Sequence, residues 1–265
     1  MRIKRLIRKM MLGVFGAMGF GKVLTSADES HTYGIFCEKV YGRNLSQCNM
    51  VDEEQLQKLI DILKINSSHS VLDLGCGIGR ISEYISDVTG AKVTGVDFAR
   101  KAIESAQKRT LNKRDRVNFV VGNLNSLPHF SEQFDCVLAM DSLYFVNDLD
   151  KTTDQMMSFL KNNGQFAAFF THKWDLDDAT NEKSPDRTDL ARALQKLGFK
   201  FNTWNFTSNE KKIWELSMKV AEELRADFER EKKMDLYKGR IGESKQNLEW
   251  AKQNLTSRWL FQAIK

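Results

Sequence analysis

The sequence predicts an α/β fold: a mostly parallel sheet of seven strands, with helices on both faces and a helical insertion before the last strand. Three observations carry this. From residue 51 onward, short apolar runs alternate with stretches of helical period. The first run ends in a glycine-rich turn, Gly75-Cys76-Gly77-Ile78-Gly79. Strands separated by single helices require right-handed crossovers, and therefore a parallel arrangement.

Val51 to Ile65 places Leu56, Leu59, Ile60 and Leu63 on one stripe, the i, i+3, i+4, i+7 pattern of a helix. Val71 to Leu74 is a short apolar strand, followed by the glycine turn and a helix through Ile81, Tyr84 and Ile85. Lys92 to Val96 reads as strand, Ala99 to Arg109 as helix and Val117 to Val121 as strand. Phe134 to Met140 is too apolar to be half exposed, so it is placed centrally. A helix over Leu149 to Leu160, a turn at Asn162-Asn163-Gly164 and a strand over Gln165 to Phe170 follow. The helix Thr188 to Leu197 stops at Gly198, as a left-handed C-cap does. Phe199 to Phe206 is the sixth strand. A helical stretch with Ile213, Val220, Ala221, Leu224 and Phe228 on one face comes next, then a second helix over Glu243 to Leu255 and a closing strand over Arg258 to Ile264.

A chain of 265 residues builds one sizeable core with elaborations. The division expected is an N-terminal cover (1–50), a ligand-binding core (51–208), a helical lid (209–255) and a final strand returning to the sheet (256–265). The net charge of +5 is concentrated: Arg2, Lys4, Arg5, Arg8, Lys9 and Lys22 precede the first acid, leaving 34 cations against 35 acids. The body is thus neutral, which argues against a nucleic-acid groove. Cys37, Cys48, Cys76 and Cys136 lack CxxC or zinc-ligand spacing and read as reduced core residues, consistent with a cytoplasmic location. Three readings of the basic, then apolar, N-terminus stay open: a packed helix, a helix on a membrane surface through residues 1–22, and a secretory signal. Its apolar part is short of the roughly 20 residues of a membrane span.

The glycine turn alone is weak evidence. Its spacing puts Arg80 where a dinucleotide fingerprint wants a third glycine, and no Gly-Lys-Ser/Thr makes it a P-loop. Asp97 ends the second strand, where a carboxylate accepts hydrogen bonds from ribose hydroxyls.

Val71-Leu72-Asp73-Leu74-Gly75-Cys76-Gly77-Ile78-Gly79 resembles motif I of class I S-adenosylmethionine-dependent methyltransferases. Further matches follow in register: Gly95-Val96-Asp97-Phe98, Val121-Gly122-Asn123-Leu124, Leu127-Pro128 before Phe134-Asp135-Cys136-Val137, and Phe159 to Gly164. The resemblance covers residues 51–207 and implies a Rossmann-like sheet with S-adenosylmethionine as methyl donor and S-adenosylhomocysteine as product. It further implies that Gly75, Cys76 and Gly77 lie against the methionine part, with Asp73 toward the amino group. Asp97 would hold the ribose, Phe98 would pack on adenine, Asn123 and the Leu124 backbone would read the adenine edge, and Met140 would contact the cofactor. The family often has Asp where Asn123 stands, and an amide can still accept from the adenine amino group.

Methyl transfer from a sulfonium is an in-line displacement that chiefly needs positioning and exclusion of water, and a base only where the acceptor must lose a proton. Candidate catalytic groups are His172, Tyr144 and Tyr33, with Asp141, Ser142, Trp174, Glu38 and Tyr41 as neighbours. His172 also reads as a hydrogen-bonded structural histidine. Asp175-Leu176-Asp177-Asp178 is a solvated loop better than a Mg²⁺ site, so no metal is expected. No Asn/Asp-Pro-Pro-aromatic signature of nucleic-acid base methylation occurs, which favours a small-molecule acceptor. Alternatives are a lipid or isoprenoid methyltransferase docked on a membrane, and a non-catalytic S-adenosylmethionine-binding protein. A dehydrogenase ranks behind both.

Overall fold

The computed structural model describes residues 16–178 and 180–265. Helices α1 (Gly16–Glu29) and α2 (His31–Tyr41) come first, with the Ser30 side chain capping α2 by accepting from the Tyr33 N–H. The core runs α3 (Glu53–Leu63), β1 (Ser70–Leu74), α4 (Arg80–Thr89), β2 (Lys92–Asp97), α5 (Arg100–Arg109), β3 (Val117–Val121), β4 (Phe134–Met140), α6 (Leu149–Ser158), β5 (Leu160–Lys173), α7 (Asp189–Lys196) and β6 (Phe201–Asn205). Helices α8 (Thr207–Glu223), α9 (Arg225–Arg230) and α10 (Met234–Lys252) then separate β6 from β7 (Thr256–Ile264).

The seven strands form one sheet in the order β3-β2-β1-β4-β5-β7-β6. The pairings from β3 across to β5 are parallel, and β7 lies antiparallel between β5 and β6. This is the Rossmann-like, mostly parallel sheet that the alternation of elements predicts. The chain reverses its winding between β1 and β4, and the carboxyl ends of those strands part there to leave a crevice.

Each face of the sheet carries its own core. Val71, Cys136, Leu138 and Phe169 pack against Leu56, Leu59 and Leu63 of α3 and Ile81 and Ile85 of α4. On the other face Leu72, Val137, Phe166 and Phe261 meet Met156 and Met157 of α6 and Leu190 and Leu194 of α7. A third cluster lies off the sheet: Phe36, Cys37 and Tyr41 of α2 pack with Ile213 and Val220 of α8, Phe228 of α9 and Leu236 and Ile241 of α10. Phe228 is completely buried, and burial of such a side chain contributes about 1.5–3 kcal/mol. The N-terminal helices and the insertion thus form one apolar unit beside the crevice.

Several bounds differ from those expected. The last long helix begins at Met234 rather than Glu243, because Gly239, Gly242 and the buried Arg240 interrupt its apolar stripe. Strand β5 runs from Leu160 through the expected turn, because Asn163 takes a left-handed φ of 63° and the ladder re-forms after it. Asn163 N–H donates to Lys265 O at 3.1 Å, and Lys265 N–H to Gly164 O at 2.9 Å, stitching the bulge to the end of β7. Of the stretch read as a membrane-surface helix, residues 1–15 lie outside the described residues. Among the described residues no helix is long and apolar enough to cross a membrane.

Candidate functional site

Strand β1 delivers Asp73 to the crevice and hands over to the glycine turn. Gly75, Gly77 and Gly79 have φ of 82°, 57° and 72°, a left-handed region costly for residues with a Cβ. Gly75 and Cys76 N–H groups both donate to Val96 O, at 2.8 and 3.1 Å, which folds the turn over the end of β2. The space is as demanding as the torsions. A Cβ on Gly75 would fall 2.3 Å from Ser142 Cβ, and one on Gly79 2.2 Å from the Phe119 ring.

Two carboxylates flank the turn. Asp97 Oδ2 accepts from Gly77 N–H and Oδ1 from Ala99 N–H, both at 2.9 Å. Burial raises its pKa, and these backbone donors oppose the rise. Asp73 is the less satisfied of the two. Ser82 Oγ donates to its Oδ2 at 2.6 Å, while Oδ1 is buried without a hydrogen-bond partner. Its pKa is pushed up to about 6, mainly by burial and further by Asp97, with the Ser82 bond pulling the other way. Between the carboxylates the Cys76 thiol is pushed well above its ordinary value by burial and by both acids, so it is a small neutral group and not a thiolate.

The rim is aromatic and amide-rich. Phe98 stacks on Phe20 of α1, with centroids 6.2 Å apart. Asn123 is exposed, its Oδ1 accepting from the N–H and side-chain amide of Asn125 at 2.9 and 3.1 Å. Leu124 is buried in the α6–α7 core, and Met140 in the core that faces α3 and α4.

Beyond β4 the chain enters a buried polar network that the sequence reading missed. Asp141 has a left-handed φ of 56° and takes a two-pronged ion pair from Arg258 of β7, at 2.6 and 2.8 Å. Arg258 is wholly buried and also donates to Gln55 Oε1 at 2.8 Å and Thr171 Oγ1 at 3.2 Å. Thr171 Oγ1 in turn donates to Glu210 of α8 at 2.8 Å. The available signal was Arg258 as the one charged residue of a strand, which when buried calls for an internal carboxylate. Ser142, next to Asp141, donates to Leu74 O at 2.6 Å, so this network abuts the glycine turn directly.

The three catalytic candidates have their partners in three different neighbourhoods. Tyr144 belongs to the network: its hydroxyl donates to Asp141 Oδ1 at 2.8 Å and accepts from Thr171 N–H at 2.6 Å. Burial and Asp141 raise the phenol well above its ordinary pKa. His172 faces the start of α7, its Nδ1 accepting from Asp189 N–H at 3.4 Å and its ring edge-on to Trp174 with centroids 4.4 Å apart. Tyr33 points into the cover, donating to Gln47 O at 3.1 Å and stacking on Phe36. Asp178, from the acidic loop, is taken up by Arg187 at 2.5 Å.

Residues 71–164 match the family described as "Methyltransferase domain". Methyltransferase GfsG of Streptomyces halstedii is 31% identical over 129 residues, 48% of this chain and 46% of that protein. The sterol 4-C-methyltransferase strm-1 of Caenorhabditis elegans is 29% identical over 154 residues, 55% of this chain and 46% of its own length. The chain therefore spans about half the length of these curated relatives. Among solved structures, Haemonchus contortus phosphoethanolamine N-methyltransferase 2, in complex with phosphomonomethylethanolamine and S-adenosylhomocysteine, superposes with a TM-score of 0.71. That match has 20% identity and covers 93% of this chain and 60% of that one.

Proposed function

We propose that this chain, whose core is a class I methyltransferase domain, binds S-adenosylmethionine in the crevice beside the glycine turn and methylates a small-molecule acceptor. The observation that carries the reading is the buried, unpartnered Oδ1 of Asp73. An orphaned carboxylate oxygen with a raised pKa calls for a cation, and the ammonium of the methionine part supplies one. Asp97 fits the rest of the cofactor, because a carboxylate oxygen has lone pairs left for ribose hydroxyls beyond its single backbone bond. Gly75, Cys76 and Gly77 let the backbone approach the methionine part. Phe98 and the Asn123–Leu124 turn take the adenine, and Met140 closes the base of the crevice.

The cofactor supplies an electrophilic methyl group on sulfur, and the protein positions the acceptor in line with it and keeps water out. Helices α8–α10 with α1 and α2 act as the lid over that reaction. Tyr144 is held at a fixed point at the end of β4 by two hydrogen bonds, which suits it to orienting an acceptor more than to removing a proton. His172 and Tyr33 remain candidates for proton transfer on the acceptor side. The small-molecule class is supported by the neutral body of the chain and by the relatives, whose names refer to sterol and phosphoethanolamine acceptors. Calorimetric titration with S-adenosylhomocysteine tests the cofactor assignment, and one-to-one binding is expected. Transfer of labelled methyl to a panel of amines, phosphoamines, phenols and isoprenoids then tests the reaction. Absence of binding, with binding of NAD in its place, would sink the reading. Binding with no transfer to any acceptor would instead favour a regulatory protein.

A further inference from the structure

Helix α1 does more than extend the cover, because it lies directly on the glycine turn and the end of β2. A Cβ built on Gly77 meets Leu24 Cδ2 at 3.5 Å, and one built on Gly21 meets Ala99 Cβ at 3.5 Å. Leu24 shares a buried cluster with Ile78, Ala99 and Ala102, and Phe20 packs at its edge. The helix is pinned at its far end by Asp28, which pairs with Arg80, lies 3.5 Å from Arg109 Nη1 and accepts from Ser105 Oγ at 3.3 Å. Lys233 Nζ donates to Ser26 Oγ at 3.0 Å and ties the same helix to the insertion.

This docking puts Phe20 among the loops that bracket the proposed base. Its ring is within 17° of parallel to that of Phe98, with centroids 6.2 Å apart, and 5.8 Å from that of Phe145. Phe145 lies beside the Asn123 turn, its carbonyl accepting from Asn125 Nδ2 at 3.5 Å. A planar base held between two rings needs about 7 Å, twice the carbon contact distance of about 3.5 Å. The Phe20 and Phe98 ring centroids, 6.2 Å apart, lie inside that spacing, so a base entering between them must part the rings by about 1 Å or more, while their near-parallel attitude is the one that stacking on both faces requires.

We infer that Phe20 forms the second aromatic wall of the adenine slot, opposite Phe98, so that α1 is itself part of the cofactor site. The inference rests on the S-adenosylmethionine reading above and extends it to a residue outside the matched domain. A helix lying over the slot must also lift for the cofactor to enter, and its Asp28 attachments hold it down again afterwards. Phe20 is then a cofactor-contacting residue, and Asp28 a positioning residue that acts through it.

The test is titration of the full chain with S-adenosylhomocysteine. Phe20→Ala is expected to weaken binding about tenfold, the size of a lost base–aromatic stack. Phe20→Leu, which keeps an apolar side chain at the α1 contact without a π face, is expected to weaken it as well, and Phe20→Trp to retain it. Phe20→Trp should further add a ligand-dependent change in tryptophan emission beyond that of the five tryptophans of the parent protein. Asp28→Asn is expected to speed ligand release in stopped flow. Wild-type affinity in Phe20→Leu, or unchanged or tighter affinity in Phe20→Ala, overturns the inference. If the parent protein binds no S-adenosylhomocysteine, the underlying reading fails whatever the variants do.

Discussion

Asp73 carries the sharpest chemistry in the molecule, because its carboxylate is buried, half satisfied and titrates near neutrality. Its pKa rises from 3.8 to about 6 on folding, so below pH 3.8 the folded and unfolded states are both protonated and the group has no effect. Between pH 3.8 and about 6 the folded state holds the proton that the unfolded state has lost, and stability falls as pH rises. Above about 6 the loss is complete, at roughly 3 kcal/mol from about 1.4 kcal/mol per unit. Asp73→Asn is expected to remove this slope from urea-unfolding midpoints recorded between pH 4 and 7. Ligand binding has the opposite sign, because an ammonium prefers the ionised acid: affinity for S-adenosylhomocysteine should drop as pH falls through 6. The Asn variant should bind at least about tenfold more weakly at pH 7.5, consistent with a lost charged hydrogen bond. Gly75→Ala faces both a φ of 82° and a 2.3 Å encounter with Ser142. It should lose at least about 2 kcal/mol in denaturant unfolding, and a loss below that would mean that the β4 exit yields easily.

At the scale of elements, the β4 exit is held by a strand more than a hundred residues away in sequence. Arg258→Ala leaves Asp141 buried and uncompensated, which should lower stability by about 3–5 kcal/mol. Combining Arg258→Met with Asp141→Asn should recover much of that, since Asn tolerates the left-handed torsion and no charge stays stranded. Additive losses in that double-mutant cycle would show that the pair is not coupled. The β1-to-β5 half was legible in the sequence because parallel strands covered on both faces are written as continuous apolar runs, and Gly75 and Asp97 fall at fixed points relative to them. Beyond the single charge of Arg258 in β7, the polar network was not legible, because Asp141, Gln55 and Glu210 meet Arg258 only after folding and none carries a local period. The start of α10 was hidden for a related reason: a buried Arg240 reads as a break in an apolar stripe. Of the candidate site, the loop residues were proposed by their register in the sequence, whereas the packing of Phe20 beside Phe98 depends on where α1 docks.

The three largest cores of the molecule are two on the sheet and one between the N-terminal helices and the insertion. A ligand that bridges the crevice and the cover should stabilise them together. At a hundredfold excess over its dissociation constant, S-adenosylhomocysteine should add about 2.7 kcal/mol to unfolding. That shift should appear as one cooperative transition by calorimetry, and separate melting of sheet and cover would contradict it. The position of β7 has a further consequence, for how the protein is made. This strand emerges from the ribosome after every other strand of the sheet, yet its place is between β5 and β6 and not at an edge. Until it arrives, β6 has no neighbour to pair with and Asp141 has no guanidinium, so a nascent chain can assemble β1 to β5 but cannot finish the sheet. A chain stopped at residue 255 should therefore stay protease-sensitive through its C-terminal third. Completion of this sheet therefore waits for the last of its strands, and until then unfinished strand edges are open to chaperones.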